Sequence, residues 1–216
     1  MNYAAFWEYF NGFAAPLLQH RAGSFRMAFE HLEKLGRPAC IVETGCVRNH
    51  GTFTGEGQST VLFDKFSECV PGTIVHSVDI SPESTGLCKS IVSSRIQVHT
   101  SDSVTFLRHQ CADLIKPHTH IDLLYLDSFD VDVEKPHDSA MHHMKELLAV
   151  GHLVNANTMM LVDDSPTSAT FYIDAGQIKL TSPQRIGGKG KYIAQYMEDI
   201  GSKPIYQGYQ AAWMGM

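Results

Sequence analysis

Five short apolar runs in this chain each end on an acidic residue. They are Ile41-Val42-Glu43, Ile74 to Asp79, Ile96 to Asp102, Ile121 to Asp127, and Met159 to Asp164. The stretches between them have helical patterning, and alternation of strand and helix builds a parallel sheet covered on both faces. In such a sheet the carboxyl ends of the strands share one edge, and ligands bind in the crevice outside it. The pattern therefore predicts where a ligand binds before it predicts which chemistry is performed.

The alternation predicts an α/β fold, a doubly wound Rossmann-like sheet with an N-terminal helical extension. We expect strands at 39–44, 73–79, 96–100, 121–126 and 158–163, and helices at 2–20, 24–35, 58–70 and 189–200. Further helices are expected to begin at Pro82, near Asp102 and at Pro136. The last of these should bury Ala140, Met141, Met144, Leu147 and Leu148. Residues 1–36 are interpreted as a helical cap and 37–216 as the ligand-binding domain. Residues 165–189 are expected to be an irregular functional loop or lid, and 204–214 a terminal hairpin or edge strands.

Composition narrows the classes of partner and the compartment. The formal net charge is −6 and the pI about 6.0, so no basic surface is expected to hold a nucleic-acid backbone. The five cysteines are odd in number and form no CxxC pair, which favours reduced thiols and a cytoplasmic setting. Residues 1–18 contain no uninterrupted apolar run long enough to span a bilayer. Their aromatic side chains predict packing against the domain or against a second copy, as in a homodimer.

A glycine-bearing connection follows the first strand. Glu43-Thr44-Gly45 leads, after a loop, to Gly55-Glu56-Gly57-Gln58-Ser59-Thr60 at a helix start. Backbone N–H groups of such a turn can hold an anionic group. Glu43, Gly45, Gly57 and Ser59 are the candidate ligand contacts of this segment. A flexible connection with ordinary capping residues explains the same letters equally well. The pattern is neither GxGxxG nor GxxxxGK[ST], which disfavours dinucleotide and P-loop nucleotide binding.

The ends of the second and third strands carry candidate nucleoside contacts. Asp79, followed by Ile80, stands where one carboxylate can accept hydrogen bonds from two adjacent ribose hydroxyls. Capping of the next helix is the alternative, although Ser81 is already available for that role. Ser101 and Asp102 end the third strand, and either an adenine amino group or a helix N-terminus can be their partner.

With these parts in order, the chain resembles the class I S-adenosylmethionine-dependent methyltransferases over about residues 39–200. It looks most like the small metal-dependent O-methyltransferases of the catechol and macrocin type. The matching pieces are Val42-Glu43-Thr44-Gly45, His76-Ser77-Val78-Asp79, Ser101-Asp102-Ser103, Leu126-Asp127-Ser128 and Leu161-Val162-Asp163-Asp164. Insertion of Cys46 to Thr54 departs from the usual first motif. The resemblance implies a seven-stranded sheet with one antiparallel strand near its edge, S-adenosylmethionine as cofactor, and a small-molecule methyl acceptor.

Asp127, Asp163 and Asp164 also form a candidate metal site on chemical grounds. They end neighbouring strands and offer the hard oxygen ligands that Mg²⁺ or a similar divalent ion prefers. Such an ion would lower the pKa of a bound acceptor hydroxyl and orient it, with Asp127 also near the cofactor. The alternative is that Asp163 and Asp164 simply begin a turn. The metal interpretation is favoured because three carboxylates close together repel each other unless a cation lies between them.

Two further features stay open between function and structure. His137, at the start of a helix near the same edge, is a candidate general base or a surface histidine. The run Gly187-Gly188-Lys189-Gly190-Lys191 can pin an acidic substrate or serve as a hinge with solvated lysines. Two other functions compete with methyl transfer: a nicotinamide-dependent oxidoreductase and a nucleoside-binding module without catalysis.

Overall fold

A seven-stranded, mostly parallel sheet organises the molecule. The computed structural model describes residues 1–56, 58–132, 134–168, 171–175, 177–180 and 185–215. Its strands are, in spatial order, β10 (Tyr206–Gln207), β11 (Ala211–Met214), β5 (Met159–Val162), β4 (Leu123–Leu126), β1 (Cys40–Thr44), β2 (Ile74–Asp79) and β3 (Ile96–Thr100). β11 runs antiparallel to β5, whereas β1 to β5 are mutually parallel. The fold class predicted from the sequence is confirmed, including the antiparallel strand near one edge.

The strands of this sheet are short and mostly buried. β1, β4 and β5 have no exposed residue, as expected of central parallel strands covered on both faces. All five predicted strands and the terminal hairpin are confirmed.

Helices cover both faces. They are α1 (Tyr3–Tyr9), α2 (Ala15–Leu18), α3 (Ala22–Lys34), α4 (Phe53–Glu56), α5 (Ser59–Cys69), α6 (Pro82–Ile91), α7 (Ser103–His109), α8 (Cys111–Leu114), α9 (Pro136–Val150) and α10 (Lys191–Asp199). A π-helical turn (Phe10–Ala14) and 3₁₀ turns (Gln19–Arg21, Gly151–Leu153, Gly188–Gly190) complete the helical segments of the described residues. The predicted helix at 2–20 is therefore interrupted, and the predicted helix after Asp102 breaks at Gln110 into α7 and α8.

Two hydrophobic clusters lie on opposite faces of the sheet. Ile41 faces a cluster with Phe6, Phe10, Phe29 and Phe66, so the N-terminal helices share a core with the sheet. Cys40 and Val42 face the other cluster, formed with α7, α9 and α10. This alternation follows from the two-residue period of side chains along a strand. Phe6 and Phe10 are fully buried within the chain, so their side chains are not available for contacts in the predicted homodimer.

Two local predictions are wrong. The segment 165–189 contains short antiparallel pairs, β6 (Thr167–Ser168) with β9 (Arg185–Ile186) and β7 (Phe171–Asp174) with β8 (Gln177–Leu180), rather than irregular chain throughout. On α9, Met141 and Leu148 are 44% and 61% exposed, whereas His143 and Glu146 are buried. The buried face of α9 includes Glu146 because Thr44 and Ser128 donate hydrogen bonds to its carboxylate.

Candidate active site

A crevice at the carboxyl ends of β1, β2, β4 and β5 is lined by six of the predicted site residues: Gly45, Ser59, Asp79, Asp127, Asp163 and Asp164. Its cavity has a volume of about 170 Å³. Six carboxylates and two guanidinium groups line it: Glu56, Asp79, Asp127, Asp130, Asp163, Asp164, Arg21 and Arg48. β1 lies between β2 and β4 in the sheet, so the crevice is at the point where the chain order of the strands reverses. The acidic lining favours a cationic ligand.

Glu43 lies behind this crevice rather than in it. Its carboxylate is fully buried and accepts hydrogen bonds from Ser59, Thr60 at 2.7 Å and Ser77 at 2.6 Å. Burial raises the pKa of Glu43 to about 7, although the three hydroxyl donors oppose the shift. Glu43 therefore ties the N-terminus of α5 to β1 and β2, and it positions the glycine-bearing loop instead of lining the cavity.

Gly45 lines the cavity at the first turn of that loop. Its φ is +80°, and a Cβ there would overlap the backbone carbonyl of Asp127. Only glycine permits this approach between the ends of β1 and β4. Ser59 also lines the cavity, at the start of α5. Gly57, the other glycine predicted to contact the cofactor, lies outside the described residues.

Asp79 faces the crevice from the end of β2. Its Oδ1 accepts a hydrogen bond from the backbone N–H of Ser81 at 2.8 Å, and its Oδ2 accepts one from Cys46 at 3.3 Å. Ser81 caps α6 through Ser84, as expected. Ile80, the next residue, is 71% exposed and does not line the cavity.

Ser101 and Asp102 lie next to Asp79. Ser101 N–H donates to the Asp79 carbonyl at 3.0 Å, which brings the ends of β2 and β3 together. Asp102 Oδ1 accepts from Thr105 N–H at 2.8 Å and so caps α7. The capping alternative for Asp102 is therefore realised, and neither Ser101 nor Asp102 lines the cavity.

Asp127, Asp163 and Asp164 form one cluster, here called the acidic cluster. One carboxylate oxygen from each lies within 4.8 Å of the others, and no other such group occurs in the described part of the chain. Arg21 Nε donates to both oxygens of Asp163 at 3.1 Å, and Gln210 donates to Oδ1 at 2.9 Å. Two buried side chains, one charged and one polar, thus already hold Asp163.

Lys189 provides the second cation of the acidic cluster. Its Nζ donates to Asp127 Oδ1 and lies 3.1 Å from Asp164 Oδ2. Burial alone would lower the pKa of Lys189, but Asp127 and Asp164 outweigh it and raise that pKa above the ordinary value. Burial likewise works to raise the pKa of Asp164, and Lys189 with Tyr209 brings it below its usual range. Burial raises the pKa of Asp127 against the opposing pull of Lys189. The pKa values of the two aspartates shift in opposite directions because Tyr209 and Arg21 reinforce Lys189 at Asp164, whereas two neighbouring carboxylates reinforce burial at Asp127.

The acidic cluster has the oxygen donors that Mg²⁺ prefers, but the donors are already engaged. Tyr125 contacts Asp127 Oδ2 at 3.4 Å, and Tyr209 donates to Asp164 Oδ1, so all six oxygens have a protein partner. An ion between Asp127 and Asp164 would meet the Lys189 ammonium. In this arrangement the residues do not fit a divalent ion unless Lys189 moves away.

Arg48 closes one side of the crevice. Its guanidinium pairs with Asp130 at 2.7 and 3.1 Å and with Glu56 at 2.7 Å. Arg48 lies in the inserted segment, Asp130 follows β4 and Glu56 ends α4, so the ion pairs join the two walls of the cavity. The insertion that separates this chain from the usual first motif thus provides a bridge across the crevice.

Sequence reasoning missed Arg21, Glu146 and the role of Lys189. Arg21 is 3% exposed, and besides Asp163 it contacts the Gly55 carbonyl at 3.2 Å and the Tyr209 ring. A lone arginine between apolar helical segments was the available signal. Glu146 appears in the sequence as an ordinary helix acid, and Lys189 appears as one of two lysines in a glycine-rich run.

His137 does not line the crevice. It is exposed at the start of α9, and its Nδ1 lies 2.9 Å from the hydroxyl of Tyr192. Tyr192 lines a second cavity of about 800 Å³, which shares no lining residue with the first. The structure therefore brings Asp79, Asp127, Asp163 and Asp164 together and leaves His137 apart from them.

No protein-family model and no curated protein sequence matches the chain. Among solved structures, the chain is similar to 1,6-didemethyltoxoflavin-N1-methyltransferase of Burkholderia thailandensis with bound 1,6-didemethyltoxoflavin and S-adenosylhomocysteine. The sequence identity is 12% and the TM-score 0.46, and the match covers 99% of this chain and 89% of that chain. The glycopeptide N-methyltransferase MtfA is 9% identical with a TM-score of 0.48, and the match covers 88% of this chain and 89% of that chain. The mitomycin 7-O-methyltransferase MmcR is 13% identical with a TM-score of 0.45, and the match covers 96% of this chain and 59% of that chain. At these identities and TM-scores the likeness carries no functional argument. In the described part of the chain, no helix is both long and apolar enough to cross a membrane.

Proposed function

We propose that this chain binds S-adenosylmethionine in the crevice and transfers its methyl group to a hydroxyl of a small molecule. The observation that carries the proposal is the Asp79 carboxylate at the end of β2, facing an acidic cavity at the strand-order reversal. A carboxylate there suits two ribose hydroxyls. Six carboxylates against Arg21, Arg48 and Lys189 leave a net negative charge around the cavity, which suits a positively charged sulfonium. The exposed Ile80 offers an apolar face to an adenine ring.

The cofactor would supply an electrophilic methyl group, so the chain's own residues mainly bind and orient. Asp127 and Asp164 face the cavity and can accept a hydrogen bond from the acceptor hydroxyl. Asp127 would take the hydroxyl proton as the acceptor oxygen gains the methyl group that the bound cofactor would supply. Correct orientation supplies much of the rate enhancement in such a displacement. Assistance by a divalent ion at Asp127, Asp163 and Asp164, and a base role for His137, stay predictions.

Ligand entry requires the crevice to open. Binding pockets for small molecules commonly enclose roughly 300–1,000 Å³, whereas this cavity encloses about 170 Å³. The Arg48 bridge to Asp130 and Glu56 is the contact that would separate, because it is solvent-accessible and joins only side chains. Exposed ion pairs of this kind contribute little stability.

Calorimetric titration with S-adenosylmethionine and S-adenosylhomocysteine tests the proposal. We expect both to bind the wild type, and Asp79→Asn to weaken both by about 1–3 kcal/mol through lost hydrogen bonds to a charged group. Asp113→Asn, an exposed aspartate on α8, is the matched control and should bind like the wild type. Failure of the wild type to bind either ligand would reject the proposal. Binding of reduced nicotinamide adenine dinucleotide instead would favour the alternative function, a nicotinamide-dependent oxidoreductase.

A further inference from the structure

The acidic cluster contains its own counter-charges. Arg21 and Lys189 are 3% and 1% exposed, so both cations are buried with the three carboxylates. Arg21 holds Asp163, while Lys189 bridges Asp127 and Asp164. The repulsion that favoured a metal in this cluster is therefore met by side chains of the chain itself.

The backbone around Lys189 fixes the position of its ammonium group. Gly188 has φ +52°, and a Cβ there would overlap the carbonyl oxygen of Asp164. Lys189 N–H donates to that same carbonyl at 3.0 Å. A Cβ on Gly190 would lie 2.6 Å from Ser165 Oγ. Two glycines thus let the turn before α10 dock directly against the end of β5, and the lysine is delivered to the cluster by that docking.

We propose that Lys189 occupies the place of a divalent ion between Asp127 and Asp164, so that the acidic cluster works without a metal. Lys189 does not line the cavity, whereas both aspartates do. Lys189 is therefore a positioning residue, which holds the two carboxylates with oxygens directed at the crevice. The role in catalysis rests on the proposed methyl transfer, but occupation of the metal position does not.

Titration with Mn²⁺, followed by electron paramagnetic resonance, tests this directly and needs neither cofactor nor acceptor. We expect no saturable Mn²⁺ site in the wild type. Lys189→Met removes the cation and leaves the carboxylates in place, so it should gain one saturable Mn²⁺ site per chain that the wild type lacks. Lys145→Met, an exposed lysine on α9, is the matched control and should gain nothing.

Thermal unfolding gives a second reading from the same proteins. Without Lys189 the carboxylates repel each other, so Mn²⁺ should raise the unfolding midpoint of Lys189→Met and of the milder Lys189→Gln. It should leave the wild type and Lys145→Met unchanged. A saturable Mn²⁺ site in the wild type that Asp164→Asn abolishes would overturn the inference, as would an absence of any Mn²⁺ effect on both Lys189 variants. Failure of S-adenosylmethionine to bind would reject the proposed function and leave this result standing.

Discussion

Glu43 illustrates how a single buried carboxyl group couples the site to pH. Its two oxygens accept hydrogen bonds from three hydroxyls, and its folded-state pKa is raised by burial to about 7 from an ordinary value of 4.5. Between those two values the unfolded chain releases this proton while the folded chain keeps it. Folding stability from this group is therefore full below pH 4.5 and falls as the pH rises toward 7.

We expect Glu43→Gln to remove most of this pH dependence. An amide keeps an acceptor oxygen for the hydroxyls and does not ionise. The free energy of unfolding of the variant should therefore change less between pH 5 and pH 8 than that of the wild type. By the cost of about 1.4 kcal/mol per pKa unit, the difference is on the order of 3 kcal/mol. Urea unfolding at both pH values measures it. Parallel pH profiles for the two proteins would contradict the assignment to Glu43.

The turn of Gly187 to Gly190 shows how the packing of a whole element can depend on a single residue. It joins β9 to α10 and brings Lys189 onto the end of β5 only because Gly188 has no side chain. Sequence reasoning identified the run as important but left it between a substrate clamp and a hinge. The sequence alone does not reveal that Lys189 of this run contacts Asp164, because the two residues belong to different elements of the fold.

We expect Gly188→Ala to destabilise the fold by about 1–3 kcal/mol, because a Cβ would meet the Asp164 carbonyl and the positive φ is unfavourable for alanine. Gly86→Ala is the matched control. Gly86 lies within α6 with nothing within 4 Å of its Cβ position, so alanine should stabilise that helix by about 1 kcal/mol. Chemical unfolding compares the two. Equal effects would show that the turn is not packed as described.

The contrast between strands and contacts explains what the sequence could predict. Apolar runs ending in Asp79 and Asp127 define strands locally, and parallel pairing then forces their ends to one edge, so both acids were located correctly. The inward face of α9 was misread because burial of Glu146 depends on hydroxyls from Thr44 and Ser128, far away in the chain. Arg21 was missed for the same reason, since its partner Asp163 is 142 positions away.

On the scale of the whole molecule, the N-terminal helices belong to the core that supports the sheet. Phe6, Phe10 and Phe29 pack in one cluster with Phe66 of α5 and with residues of β1, β4 and β5. Arg21 then extends from these helices into the acidic cluster. The division into a cap at 1–36 and a domain at 37–216 remains a prediction about the chain, but the shared cluster argues that the two parts unfold together.

The two tryptophans allow cooperative unfolding to be tested. Trp7 lies in α1, and Trp213 is fully buried in β11 on the other face of the sheet. In a Trp7→Phe background only Trp213 reports by fluorescence, and Phe10→Ala should still lower the free energy of unfolding by about 3–5 kcal/mol, because it opens a cavity in the shared core. Phe13→Ala, at a side chain that is 49% exposed, should cost much less. If Trp213 reported the same midpoint in urea with and without Phe10→Ala, the N-terminal helices would be an independent unit, and Arg21 would reach the site from a part that can detach.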